Sequence, residues 1–87
     1  MTAKWDQLNL RHLRAVAAVA ACGALSRAAA RVHLSQPALT QGIAKIEAQL
    51  GTALFERHSA GMRAAEAGQL LAARVEAMLT ALREATD

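Results

Sequence analysis

The spacing of large apolar residues between positions 35 and 51 constrains the fold of this chain more than any other feature. Four of them follow one another at intervals of four, three and four positions: Leu39, Ile43, Ile46 and Leu50. This repeat is typical of an α-helix with one buried side. Ser35 can cap its start and Gly51 can end it. The sequence therefore predicts a helix over 36–50, with Pro37 tolerated in its first turn.

Two helical segments precede this helix. Asn9 is a suitable N-cap for a first helix that carries apolar residues at helical spacing, and Gly23 is a plausible stop. A short second helix is predicted from Leu25 to Val32, with Arg27 and Arg31 pointing away from its apolar side. Residues 33–35 then form a three-residue turn. The order of these elements is that of a helix-turn-helix: a helix, a short helix, a three-residue turn and a longer helix.

A short β-hairpin and a long helix are predicted to follow. Leu54 and Phe55 indicate the inward-packing start of a strand, and 56–63 is typical of a small hairpin with Gly61 in its turn. From Glu66 to about Thr86 the pattern is helical without interruption. The predicted fold is mainly α: a winged helix-turn-helix of three helices and a short hairpin wing, followed by a long dimerisation helix.

The long helix carries a heptad-like seam. Its members are Leu71, Val75, Met78, Leu82 and Ala85. Leu70 and Leu79 flank it and are candidates to pack on the domain's own body. A stripe of this kind on an exposed helix needs a partner, and a second copy of the chain is the simplest one. We therefore expect a homodimer through this helix.

Charge and composition favour a polyanionic partner and exclude several classes of protein. The chain has 87 residues, a formal charge of +3 and a pI near 10.0, and its positive charge lies in the first two-thirds. Cys22 is the single cysteine, which excludes a disulfide framework within the chain. No uncharged run reaches the roughly 18 residues of a membrane span. A cytoplasmic, nucleoid-associated protein that contacts no membrane is expected.

Catalytic and metal-binding constellations are missing from the sequence. There is no nucleophile–base pair and no glycine-rich phosphate loop, so an enzyme is not predicted. The three histidines, His12, His33 and His58, are not at metal-ligand spacing. No metal and no cofactor is expected.

The side of the third helix opposite its apolar stripe carries hydrogen-bonding side chains. Its members are Gln36, Pro37, Thr40, Gln41, Ala44 and Lys45. Glutamine can bond adenine, threonine and alanine can touch a thymine methyl, and lysine can reach a phosphate or guanine. Residues 36–50 are therefore predicted to be a recognition helix in the DNA major groove. The hairpin would be a wing that carries Arg57, His58 and Arg63 to the DNA backbone or minor groove.

Several runs of this sequence resemble one family. These are Leu10-Arg11-His12-Leu13, Ser26-Arg27-Ala28-Ala29, the stretch from Val32 through Ser35-Gln36-Pro37-Ala38-Leu39 to Thr40, and Leu54-Phe55-Glu56-Arg57. They are similar to the DNA-binding domain of LysR-type transcriptional regulators over about residues 8 to 87. The Ser-Gln-Pro-Ala-Leu run followed by Leu-Phe-Glu-Arg is much more specific than a generic helix-turn-helix pattern.

The resemblance implies an organisation and a mode of action. Residues 1–8 would be an N-terminal arm, 9–63 the winged helix-turn-helix domain and 64–87 the linker helix. Regulators of this type bind promoter DNA as dimers or tetramers and respond to a small-molecule effector through a following domain, which this sequence lacks. The DNA-binding residues would be Ser35, Gln36, Pro37, Ala38, Thr40, Gln41, Lys45, Arg57, His58 and Arg63.

Several positions depart from the family pattern. Gln41 stands where the family commonly has arginine, so one charged contact is replaced by a neutral one. Ala24 and Ala65 stand where a capping serine or threonine is usual. Gly42 lies inside the recognition helix, where glycine costs up to about 1 kcal/mol relative to alanine. It either permits a close backbone approach or is simply tolerated.

Two other functions and one other role for a wing residue stay open at this point. The chain can be a helical homodimeric protein-interaction module that does not bind DNA, although the polar face of the recognition helix argues against it. An RNA-binding winged helix is disfavoured because A-form grooves do not admit a reading helix. Arg57 can also brace the wing by pairing with a nearby carboxylate.

Overall fold

The computed structural model describes residues 5–59 and 61–87 of the chain. A short 3-10 helix over Trp5–Gln7 is followed by α1 (Leu10–Cys22), α2 (Leu25–Arg31), α3 (Gln36–Leu50), β1 (Phe55–His58), β2 (Gly61–Ala64) and α4 (Glu66–Thr86). The winged helix-turn-helix with a long final helix is thus confirmed. Residues 1–4 of the expected N-terminal arm lie outside the described residues, and Trp5 is exposed.

The helix ends lie where local chemistry predicts them. The side-chain Oδ1 of Asn9 accepts the backbone N–H of Arg11 at 2.8 Å, and the Oγ of Ser35 accepts that of Ala38 at 3.2 Å. α1 and α3 end at Gly23 and Gly51, both in the left-handed conformation. α2 is one residue shorter than predicted, because Val32 serves as its C-cap instead of its last residue.

α1 occupies the centre of the domain. Its five successive residues from Ala15 to Val19 are all buried, and α1 contacts α2, α3, α4 and β2. The predicted stripe of α3 packs into this core, with Leu39, Ile43 and Ile46 buried and Leu50 half-buried. Small residues in α1 let the surrounding helices approach it closely, which suits a chain with so few aromatic residues.

The hairpin is bound to the end of α1. Its antiparallel strands pair Phe55 with Ala64 and His58 with Gly61. The backbone N–H of Met62 donates to the carbonyl of Gly23 at 3.2 Å. Gly61 opens β2 instead of lying in the turn as predicted. Its φ is +136°, and a Cβ there would overlap the carbonyl oxygen of Gly23, so only glycine fits this close approach.

The predicted seam of α4 is divided between the domain and its surface. Val75 is 3% exposed and Leu71 packs on the core, whereas Met78 and Leu82 are 36% and 46% exposed. Leu70, a candidate to pack on the body, is also exposed. The seam is therefore not one continuous free stripe, because the first half of α4 uses it to pack on its own domain. Among the helices of residues 5–59 and 61–87, none combines the length and the hydropathy of a membrane span.

Candidate nucleic-acid interface

The turn before α3 directs its first residues out of the domain. His33 adopts a left-handed conformation with φ 60°, and the N–H of Leu34 donates to the carbonyl of Ala29 at 2.9 Å. These two features end α2 and reverse the chain within three residues. Ser35 then caps α3, so the start of the recognition helix is held in place by local bonds.

The polar side of α3 is open to solvent. The exposed members of the predicted site on this helix and its cap are Ser35, Gln36, Pro37, Thr40, Gln41 and Lys45, together with the neighbouring Ala44, while Ala38 is half-buried. The opposite side is buried along its length in α1 and the rest of the core. α3 can therefore enter a groove with its polar side while the domain holds it from behind.

Arg57 lies on the side of the wing that faces α3. It lines a cavity of about 260 Å³ with Thr40 and Ala44, and a second cavity with Gln36. Successive residues of a strand point to opposite faces, and Arg57 is opposite Met62 in the hairpin register. The wing therefore presents one guanidinium beside the polar side of the recognition helix.

Arg63 and Glu56 lie on the other face of the hairpin. They are opposite each other in the register, and the Nε of Arg63 is 4.0 Å from the Oε1 of Glu56. Both side chains are about two-thirds exposed, so this pair stabilises the wing little. Among the described residues, Arg63 and not Arg57 thus pairs with the carboxylate of Glu56. His58 is exposed at the end of β1.

Glu47 connects the recognition helix to the wing. Its Oε2 accepts the backbone N–H of Leu54 at 2.7 Å, directly before β1. Leu54 is buried against the core and its carbonyl accepts the N–H of Ala65 before α4. The recognition helix, the wing and the start of α4 are thus joined through one short segment, and this joint was not foreseen in the sequence.

Arg27 and Arg31 bind the C-terminal end of α1. The Nη2 of Arg27 donates to the carbonyl of Cys22 at 2.7 Å, and the Nη1 of Arg31 lies 3.8 Å from its Sγ. Cations near the last carbonyls of a helix are favourable because the helix dipole is negative there. These two arginines are engaged with α1.

Two further basic residues lie beside the recognition helix. Arg11 and His12, at the start of α1, line a cavity of about 280 Å³ with Gln41 and Lys45 of α3. The helical repeat of α1 places Arg11 on its polar side, but it cannot tell which neighbouring helix that side faces. The residues that adjoin the recognition helix across from the wing were therefore missing from the predicted site.

The described part of the chain offers no metal site, since no three His, Cys, Asp or Glu side chains in residues 5–59 and 61–87 are grouped so that they could hold an ion. The chemistry available at the surface of α3 is that of amide, hydroxyl and basic groups. Such groups donate and accept hydrogen bonds and neutralise phosphates.

Comparisons with known proteins agree with this geometry. The family model "Bacterial regulatory helix-turn-helix protein, lysR family" matches residues 10–69. The chain is 38% identical over 82 residues to the HTH-type transcriptional regulator PcaQ of Agrobacterium fabrum, which covers 94% of this chain. The chain spans about a quarter of that relative, 26% of its length.

Solved structures give the same result. The CbnR_DBD–DNA complex superimposes with a TM-score of 0.82 at 33% identity, covering 91% of each chain. The BenM_DBD/catB site 1 DNA complex has a TM-score of 0.83 at 28% identity, covering 90% of this chain and 87% of the other. With its family model matched over most of its length and its helix-turn-helix and wing both formed, this chain belongs to the LysR family of bacterial regulatory helix-turn-helix proteins.

Proposed function

We propose that this chain is the DNA-reading head of a transcription regulator and that it binds double-stranded promoter DNA as a homodimer. The observation that carries the proposal is the exposed polar side of α3, which stands opposite a buried apolar side and has Arg57 beside it. The similarity to two DNA-binding domains solved with DNA supports it. A chromosomal partner implies a cytoplasmic, nucleoid-associated location.

In this proposal each part of the interface has its own task. α3 enters the major groove, where Gln36, Thr40 and Gln41 approach base edges. Ser35, Pro37 and Ala38 bring the start of α3 against the DNA, and Lys45 binds a phosphate. Arg57, His58 and Arg63 of the wing contact the backbone or minor groove. Contacts to phosphates fix the register and contacts to bases supply the sequence preference.

The proposed organisation assigns a different task to each segment. Residues 9–63 are the DNA-binding domain, 64–87 the linker helix that pairs two copies, and 1–8 an arm. Two copies would present two recognition helices to half-sites about one DNA turn apart. Response to a small effector would require a further domain after the linker helix, and contacts there would decide between a dimer and a higher oligomer.

The test is fluorescence anisotropy of this chain with the DNA upstream of its own gene and with a scrambled duplex, over a series of salt concentrations. A preference of about tenfold or more for the upstream duplex, with affinity that falls steeply as salt rises, is the expected result. Folded, dimeric chain that binds neither duplex would favour the protein-interaction module instead.

Two variants separate the proposed roles. Gln36→Ala should lose about tenfold or more of the affinity for the upstream duplex and keep its weak general binding, because one good base contact contributes about 1–3 kcal/mol of discrimination. Arg63→Ala should weaken binding to both duplexes alike, because a phosphate contact carries no sequence information. Equal losses on the two duplexes in Gln36→Ala would refute its base-reading role.

A further inference from the structure

The recognition helix has a neighbour on each side, and only one of them is the wing. Along one side of α3, Thr40 and Ala44 face Arg57 of the hairpin. Along the other side, Ala38, Gln41 and Lys45 face the start of α1. A helix with its side chains is about 10–12 Å across, and the major groove is about 12 Å wide. When α3 lies in the groove, the hairpin and the start of α1 are therefore each close to one of the two phosphate backbones.

Arg11 and Lys45 lie at the side of α3 that is away from the wing. Both side chains line the same cavity of about 280 Å³, and both residues are exposed. In the described part of the chain no carboxylate lies within ion-pair distance of either one. Arg11 contrasts in this respect with Arg63, which is already paired with Glu56. The two cations are therefore available to a phosphate.

The backbone that carries Arg11 is fixed relative to α3. The Oδ1 of Asn9 accepts the N–H of Arg11 at 2.8 Å and so holds the first turn of α1. His12 lies against α3 at Gly42, where an added Cβ would be 2.8 Å from the Cδ2 of the imidazole. Gly42 thus leaves room for the imidazole of His12 between the first turn of α1 and the recognition helix.

We propose that Arg11 and Lys45 form a second phosphate-binding surface, which holds the DNA strand across the major groove from the strand that the wing contacts. The ligand is a backbone phosphodiester, so the surface adds affinity and sets the depth of α3 in the groove without reading bases. His12 is a positioning residue, because it acts by seating the first turn of α1 on Gly42. This inference rests on the DNA binding proposed above.

The test compares Arg11→Ala with the unmodified chain on the upstream duplex and on the scrambled duplex over a salt series. Loss of one phosphate contact should reduce the slope of log affinity against log salt by about 0.9, which is about fivefold weaker binding at 0.15 M salt on both duplexes. Arg11→Lys should keep the slope. Arg11 is exposed and alanine is a strong helix former, so the fold should be retained, as circular dichroism would verify.

Arg74→Ala is the matched control. Arg74 is also exposed, but it lies in α4 and lines neither the cavity beside α3 nor the groove towards Leu82 and Arg83. Arg74→Ala removes the same charge without touching the surface beside α3, so its salt slope should equal that of the unmodified chain. An unchanged slope in Arg11→Ala, or an equal fall in both variants, would overturn the inference. Failure of the unmodified chain to bind either duplex would instead overturn the proposed function.

Discussion

Glu47 shows how one side chain of the recognition helix also shapes its surroundings. It occupies the side of α3 that turns towards the wing, and its carboxylate binds the N–H of Leu54, a backbone group that β pairing does not use. A half-buried donor without an acceptor is costly. The carboxylate therefore fixes how the chain leaves α3 and where the wing begins.

Removing this acceptor should destabilise the domain. We expect Glu47→Ala to lower the free energy of unfolding by about 1–3 kcal/mol, because the N–H of the buried Leu54 loses its acceptor. Glu47→Gln keeps an oxygen acceptor and should lose less. Urea unfolding followed by circular dichroism measures both changes.

Glu56→Ala supplies the comparison for this experiment. Glu56 is an exposed carboxylate whose partner, Arg63, is also exposed, so its removal should change the free energy of unfolding by no more than about 0.5 kcal/mol. Equal destabilisation by Glu56→Ala and Glu47→Ala would mean that the bond to Leu54 is not what stabilises the joint.

The residues that start or end helices were the most predictable from the sequence. Asn9, Ser35, Gly23 and Gly51 start or end helices at the predicted positions, because capping depends on a few adjacent backbone groups. The contact of His12 with Gly42 was beyond prediction. It depends on the distance between two helices that are far apart in sequence, and no periodicity records that distance.

α2 and α4 begin without a capping side chain. Ala24 and Ala65 occupy their N-cap positions in extended conformation, and neither offers a side-chain acceptor to the first turn. The start of α4 relies on Glu66, whose charge is favourable near the positive end of the helix dipole. The junction between the wing and the long helix is therefore less stable than its backbone geometry allows.

A hydroxyl at this junction should stabilise the domain. Ala65→Ser is expected to raise the free energy of unfolding by about 0.5–1 kcal/mol, because the backbone angles at position 65 (φ −68°, ψ 172°) already suit an N-cap. Thermal unfolding of the variant and the unmodified chain would measure the gain as a higher Tm.

The same substitution inside the helix tests the explanation. Ala73 is exposed in α4, where serine has the lower helix propensity, so Ala73→Ser should lower stability by a few tenths of a kcal/mol. A gain in both variants would show that serine stabilises this helix for a reason other than capping.

The sequence predictions that failed concern how the helices and the hairpin pack against one another. The spacing of Leu71, Val75, Met78 and Leu82 is the same for a helix that pairs with a copy and for one that packs on its own domain. In the structure the first two residues pack inward and the last two are exposed. Gly61 was misplaced for a similar reason, since its role is set by the approach of Gly23 and not by the hairpin itself.

The second half of α4 leaves a groove between itself and the body of the domain. Leu10 and Val32 lie on one side of it, Leu79 and Leu82 on the other, and its volume is about 620 Å³. Leu10 and Leu82 are each 46% exposed. Charged side chains, among them Arg14, Glu76 and Arg83, line the same groove. Exposed apolar side chains with a polar rim are typical of an interface, and this is the part of α4 through which the proposed homodimer would form.

A charge introduced in this groove should weaken the association between two copies of the chain. We expect Leu82→Asp to weaken self-association by at least tenfold, because burial of the introduced carboxylate opposes pairing. Sedimentation velocity over a range of concentrations gives the dissociation constant directly, and circular dichroism would verify the fold.

Ala77→Asp introduces the same charge on an exposed position of the same helix, away from the groove. It should self-associate like the unmodified chain. If Leu82→Asp and Ala77→Asp dimerise equally well, α4 does not pair through its groove-side residues.

The burial of five successive residues in α1 limits how this domain can transmit a signal. The middle turns of that helix have no side facing water, so they cannot open while α2, α3 and α4 stay in contact with them. Local rearrangement inside the head is thereby suppressed, and amide hydrogens of 15–19 would exchange only on global unfolding. In the proposed homodimer, a signal that arrives along α4 would therefore move each DNA-binding domain as a rigid body and change its distance and angle to the second one.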